Sequence, residues 1–591
     1  MDLHALRTEM SELELDAWLV PSADPHQSEY VAPCWERRAW ASGFDGSAGT
    51  LVVVAGSAGL WTDSRYWLQA AEQLEGSGID LFKAGDEGVP TWDAWLASTL
   101  TEGQRVGANP WVHSLKGWRD LAKKLEAPGV ELVARAEDLV DRVWGADRPA
   151  LPSTQLRVHA PELAGETVAD KLGRVEAALA DAGADALLVC ALDEVAWLFN
   201  LRGADVEFNP VFVGWALVGR EQTTLFTDLS RVGEVVRATL PDAVRLRPYD
   251  EVEAALGQAG QDGHTVWVDP KTTSYHLARL LQDAGATLHE AAGPLAPWKA
   301  TKNPAEVDGM RAAHVRDGVA MVRFLRWLEG AVPEGGVTEL SAEAELESLR
   351  ARNEQFVGPS FRTIAGYGGH GAIVHYAATE ASSAELLPEG LFLIDSGGQY
   401  LDGTTDITRT LALGEPTDLH RRAYTAVLRG HLALSRATFR AGTKGFQLDV
   451  LARAPVWEAL LHYGHGTGHG VGAALCVHEG PFSVSPRLVE VALEPGNVLS
   501  NEPGYYLAGE FGIRIENVVL VVERAQTEDG TFLGFEDLTL CPYDRRLIDV
   551  GALCEADRDQ VDAYHARVRE VLSPLLDEAD RAWLEAATQP L

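Results

Sequence analysis

The sequence predicts two related N-terminal α/β domains followed by an α+β domain that carries almost all of the chemistry. Three observations predict this. Short apolar runs alternate with helical periodicity through the first half of the chain, the same runs occur twice, and Gly-punctuated strands beyond about residue 300 collect acids and histidines.

In the first domain, residues 17–20 (AWLV) form an apolar strand stopped by Pro21-Ser22. Residues 51–54 (LVVV) and 59–63 (GLWTD) predict two more strands, and a helix follows from 66 to about 74. The second domain repeats these signals. DAWLV at 16–20 matches DALLV at 185–189, and LWTD at 60–63 matches LFTD at 225–228, at offsets of 169 and 165 residues. Two similar offsets in the same strand context indicate a duplicated domain. Pro149 and Pro152 mark a linker, so the expected limits are 1–152, 153–300 and 301–591. The third domain opens on Lys302-Asn303-Pro304, with Asn303 as N-cap and Pro304 at the first helical position. Met310, Ala313, Val319, Met321, Val322, Leu325 and Leu328 then recur at helical spacing, and the segment 555–587 returns to helix.

At 591 residues the chain exceeds one core, and 46% hydrophobic with 23% charged residues is ordinary globular composition. The net charge of −37 argues against nucleic acid or an anionic membrane as partner. No run reaches the roughly 18 apolar residues of a membrane span, and acids in the first twenty residues argue against a secretion signal. Cys34, Cys190, Cys476, Cys541 and Cys554 are scattered, which points to a reducing cytoplasm without disulfides.

The stretch LFLIDSGGQYLDGTTDITR (391–409) carries the first chemical signal: Asp395 ends an apolar run, and Asp406 stands where strand-like sequence resumes. Two such carboxylates repel unless a cation lies between them. Further clusters are GAIVHY with His375, HGTGHGVG with His465 and His469, VHEGP with His478, and NEPG and GIRIEN with Glu502 and Glu516. Each alone has a bland reading. A histidine among glycines is usually a surface or capping residue, and Glu502 before Pro-Gly resembles a solvated loop acid. Glu516 lies in what reads as a buried strand, where Arg514 could serve as its ion-pair partner. Together, Asp395, Asp406, Glu502 and Glu516 supply four negative charges, matching two divalent cations, and His469 adds a neutral nitrogen. Oxygen-dominated ligation without thiolate favours manganese, cobalt or zinc in a reactive site over a structural zinc.

These motifs, in the order Asp, Asp, His, Glu, Glu, resemble the metallopeptidases of the pita-bread fold. Within that family the chain is most similar to the long, three-domain cytosolic aminopeptidase P branch. The resemblance extends to HQSEYVAPCWERRAWASGFDGSAGT (26–50), LWTDSRYWLQAA (60–71), LDEVAWLFNLRGADVEFNPVF (192–212) and FEDLTLCPYDRRLIDV (535–550).

The resemblance implies Asp395, Asp406, His469, Glu502 and Glu516 as ligands of two divalent ions, manganese in the family and otherwise zinc or cobalt, with Asp406 and Glu516 touching both. It implies removal of the N-terminal residue from Xaa-Pro peptides by a metal-bridging water, with Glu502 as base and His375 and His478 as catalytic donors. His375, His465 and His478 would also bind substrate, as would Arg65, which in the family reaches a neighbouring active site. A cytoplasmic homodimer is implied too. One departure is Asn501, where related sequences often carry Asp. Two alternatives use the same fold: a dipeptidase restricted to Xaa-Pro (prolidase), and a non-catalytic peptide-binding module that has lost the metal ligands, all of which are retained here.

Overall fold

The computed structural model describes residues 3–591. The chain forms two compact units, one of Met1–Pro161 with Glu166–Leu295, the other of Glu162–Gly165 with Ala296–Leu591.

The first unit contains two six-stranded sheets of the same design. One runs Asp80–Lys83, Ala58–Thr62, Thr50–Val54, Ala17–Pro21, Arg105–Ala108, Glu131–Ala134. The other runs Val244–Arg247, Thr223–Phe226, Trp215–Gly219, Ala186–Val189, Thr265–Val268, Thr287–Glu290. In each, the fourth strand pairs antiparallel to the third and parallel to the fifth. The repeated strings fall on equivalent positions: 16–20 and 185–189 enter the fourth strands, 60–63 and 225–228 the second. Even the leading acids do the same work. Asp16 accepts the backbone N–H of Arg105 at 2.8 Å, and Asp185 accepts that of Thr265 at 2.8 Å, so each ties the start of the fourth strand to the fifth. Continuous apolar runs suit these central strands, whose side chains are buried on both faces. The predicted helix after LWTDSRY spans Trp67–Gln73, with Tyr66 at its cap.

The second unit begins with the helix Pro304–Ala331. Asn303 accepts the N–H groups of Ala305 and Glu306, and Glu306 reaches back to Asn303 N–H, which completes a capping box. The expected apolar stripe is buried, with Val319 half-buried at its edge. A three-stranded sheet pairs Leu391–Ser396 with Ile364–Tyr367 on one side and Ile407–Ala412 on the other. A six-stranded sheet runs Thr438–Arg440, Gly530–Asp537, Asn517–Thr527, Val498–Asn501, Gly468–Gly470, Glu479–Val484. The tail forms two helices, Glu555–Leu572 and Glu578–Ala587, interrupted at Ser573-Pro574, where Pro cannot continue the ladder.

No helix of the described residues is long and apolar enough to cross a membrane. All five cysteines are free.

Candidate metal centre

Two sheets of the second unit aim acids at one place. Asp395 lies in the strand Leu391–Ser396, and its neighbour Ile407–Ala412 starts directly after Asp406. From the six-stranded sheet come His469, in Gly468–Gly470, and Glu502, directly after Val498–Asn501. Glu516 was expected inside a strand. It instead occupies the two-residue gap between Phe511–Arg514 and Asn517–Thr527, where the chain passes from a hairpin to the sheet. Its N–H donates to Thr408 O at 3.1 Å, and the Thr408 hydroxyl donates to its carboxylate at 2.6 Å. Glu502 is likewise held by its backbone, donating to Thr467 O at 2.7 Å.

Ligand atoms of Asp406, His469 and Glu516 all lie within 4.8 Å of one another. His469 Nε2 is 3.5 Å from Asp406 and 3.6 Å from Glu502. Its Nδ1 pairs with Gly470 O at 2.9 Å, an arrangement that keeps a proton on Nδ1 and makes Nε2 the nitrogen that could bind a cation once its own proton is displaced. Glycine lets the strands close up here. A Cβ on Gly468 would stand 2.0 Å from Ser500 O.

The electrostatics of this cluster are those of a place built for cations. Burial pushes the Asp395 carboxyl up to about 6, opposed by Arg514 and reinforced by Asp406 and Glu502. Burial also raises Glu502, with His469 and Arg514 pulling down and Asp406 pushing up. Glu516 is raised well above the carboxylate range by burial and then by Asp406, Asp395 and Glu502. Burial disfavours the charged form of His469, yet the Asp406 hydrogen bond and the Glu502 and Asp406 charges lift it to about 9. Asp395 Oδ1 is buried and has no hydrogen-bond partner. A buried carboxylate oxygen left in that state is costly unless a cation satisfies it. Four carboxylates, this oxygen among their donors, and one imidazole fit hard or borderline divalent ions.

Arg514 does not pair with Glu516 as the sequence suggested. Its Nη2 and Nε donate to Asp395 Oδ2 at 2.6 and 3.1 Å, its Nη1 to the Tyr506 hydroxyl at 2.7 Å, and Nη2 also to Val374 O at 3.3 Å. The arginine lies on a strand paired with Tyr505 and Tyr506, which aims it across the hairpin rather than along its own chain. The threonines were missed, although alternation shows them: in DITRT, Asp406, Thr408 and Thr410 fall on one strand face.

The other candidates separate. His478 lies beside His469, ring centroids 4.3 Å apart and nearly perpendicular. His465 is 3.9 Å from Glu502, with Nε2 on the Tyr506 hydroxyl and Nδ1 on Gly466 O, both at 2.8 Å. His375 follows the Val374 carbonyl that Arg514 grips. Arg65 belongs to the first unit, where its Nε and Nη2 each hold Asp63 at 2.8 Å. Asn501 donates Nδ2 to His431 O at 2.9 Å, a bond that an ionised aspartate at this position could not make.

Four family profiles match the chain. Metallopeptidase family M24 covers 308–523, and the C-terminal region of peptidase M24 covers 531–591. Creatinase/Prolidase N-terminal domains cover 3–143 and 147–306. A probable Xaa-Pro aminopeptidase P of Fusarium vanettenii is 44% identical over 99% of this chain and 98% of its own length. One of Aspergillus flavus is 42% identical over 100% of this chain and 92% of its own. Among solved structures, X-prolyl aminopeptidase of Caenorhabditis elegans, described as a cytosolic enzyme with a di-nuclear active site, superposes with a TM-score of 0.95. It is 34% identical and both chains are covered in full.

Proposed function

This chain belongs to metallopeptidase family M24, with two creatinase/prolidase-type domains ahead of a pita-bread domain, and we propose that it removes the N-terminal residue from peptides with proline second. The observation that carries the reading is the grouping of Asp406, His469 and Glu516, with Glu502 3.6 Å from His469 and with Asp395, which feels the charges of Asp406 and Glu502, keeping a buried oxygen without a hydrogen-bond partner.

These five residues would hold two divalent cations, and on the family resemblance Asp406 and Glu516 would serve both. Bound there, the cations would supply Lewis acidity to the scissile carbonyl and acidify the attacking water. Glu502 would accept that water's proton. His478, beside His469, and His375 would donate hydrogen bonds to the developing oxyanion and the prolyl nitrogen. The bond ahead of proline has no N–H, so a peptidase that must grip that N–H is excluded, whereas these residues never contact one. His465 and Arg65 would bind substrate. The donor set suits manganese, cobalt or zinc, and manganese is proposed on the family resemblance. A homodimer rests on the family resemblance, and a cytoplasmic location on that resemblance and on the nematode enzyme's description as cytosolic. Domain limits of 1–152, 153–300 and 301–591 lie close to the profile bounds.

A dipeptidase restricted to Xaa-Pro would need a cation for the substrate's terminal carboxylate, and the full-length relatives are named aminopeptidases. The test is hydrolysis of Xaa-Pro-Xaa and Xaa-Pro peptides by purified protein, after chelation and after return of manganese. Manganese-dependent cleavage of the tripeptide is expected. Cleavage of the dipeptide alone would overturn the aminopeptidase assignment, and no cleavage with any metal would overturn the enzyme.

A further inference from the structure

Next to His478 stands an ion cluster that the reading above does not use. Glu479 is buried, and so are Lys299 and Lys302, the two lysines that hold it. Lys299 Nζ donates to Oε1 at 2.6 Å, and Lys302 Nζ donates to Oε2. The partners stand 180 and 177 residues apart in sequence. Two ammonium groups share one carboxylate in a place with almost no solvent, which is a poor device for stability, since desolvation offsets most of the attraction. What such a cluster supplies is fixed geometry.

The geometry it fixes leads to the metal centre from both ends. The lysine segment is bound to the turn before Val498–Asn501: Lys302 N–H donates to Gly496 O at 2.9 Å, and Asn497 Nδ2 to Ala300 O at 3.1 Å. That strand delivers Glu502. On the other side, Glu479 opens the strand paired with Gly468–Gly470, opposite Gly470. A Cβ on Gly470 would be 2.3 Å from Glu479 O, so the backbone of Glu479 lies directly on the residue after His469. The chain before His478 is pinned as well. Leu475 O accepts from Gln399 Nε2 at 2.8 Å and from the Thr404 hydroxyl at 3.1 Å. His478 therefore stands between two fixed points, three residues after one and immediately before the other.

We infer that Glu479, clasped by Lys299 and Lys302, is a positioning residue that sets His478 against His469 and the substrate carbonyl. This rests on the proposal that His478 acts in the reaction. Each lysine restrains one carboxylate oxygen, so the side chain can neither rotate nor withdraw, and its backbone cannot shift without dragging His478.

The test is a double-mutant cycle on the manganese-loaded enzyme, with metal content and thermal midpoint measured for every variant. Glu479→Asp keeps the charge and shortens the reach. It is expected to lower kcat about tenfold or more, with KM and metal content nearly unchanged. In a His478→Ala background the same substitution is expected to cost nothing further. Lys299→Met, which leaves the Lys302–Glu479 pair intact, should show a smaller loss with the same dependence on His478, and it serves if Glu479→Asp does not fold. Hydrogen exchange in peptide 472–484 should quicken in either variant. An additive loss in the His478→Ala background, or full kcat in both single variants, overturns the inference. If wild-type protein cleaves no proline-second peptide, the functional proposal itself fails, and if His478→Ala is fully active, so does the role of His478.

Discussion

Arg514 Nη2 donates to Asp395 Oδ2 at 2.6 Å, while Oδ1 of the same carboxylate is buried without a hydrogen-bond partner. One oxygen is oriented by a guanidinium and the other is left to donate an electron pair to a cation in the proposed centre. Arg514→Lys replaces a planar, multiply bonded group by a point charge that cannot also reach Tyr506 and Val374. Manganese affinity by titration calorimetry should fall about 10- to 100-fold. Unchanged affinity would mean that Asp395 needs no such support.

Chelation should destabilise the protein in a pH-dependent way. Asp395 has its folded-state pKa raised from 3.8 to about 6, so between those values the folded state holds more proton than the unfolded state. Metal-free stability then falls as pH rises through this window, by up to about 1.4 kcal/mol per pH unit for this group. Bound cations remove the penalty and compete with the proton. The gap between urea midpoints of manganese-loaded and chelated protein should widen from pH 4.5 to 6.5, and a constant gap would contradict the clustered carboxylates.

His431 titrates with the opposite sign. Burial and the Arg409 charge lower it to about 3, and its ring pairs with Asn501 O and the Tyr543 hydroxyl, both at 3.1 Å. The unfolded chain takes up this proton near 6.5, so the stability it contributes is complete above that pH and drains away toward pH 3, at about 1.4 kcal/mol per pH unit. His431→Gln should flatten that part of the metal-loaded stability profile. An unaltered slope would place the titration elsewhere.

Gly512→Ala tests the tie between the hairpin and His375. A Cβ there would stand 1.7 Å from Gly371 O, which forces apart the backbone four residues before His375. Stability should drop by about 1–3 kcal/mol, and kcat should fall more than metal content does. Equal losses in both would put the damage at the ligands.

The proposed metal centre was legible in the sequence because its five candidate residues sit in Gly-rich or strand-end contexts that have little other use for acids. The duplicated domains were legible because two short strings fell at nearly equal offsets. Partnerships were harder to read. Arg514 was matched with the acid two residues away, but a hairpin turned it toward Asp395, 119 residues distant. The Lys299–Glu479–Lys302 clasp left no local trace, since nothing in WKATK or VHEGP indicates that the two segments meet. Sequence periodicity reports which face a residue occupies and is silent on what lies opposite.

The Thr408–Glu516 bond joins two halves of a ligand set that lie 108 residues apart. During synthesis, a chain that has emerged only as far as Ala412 carries two aspartates and neither glutamate. It has no set of donors able to retain an ion against water. With the proposed ligands, hydrolytic competence is therefore withheld from the nascent protein until Glu516 has emerged and paired, so a product stalled before that residue is born inert toward the peptides around it.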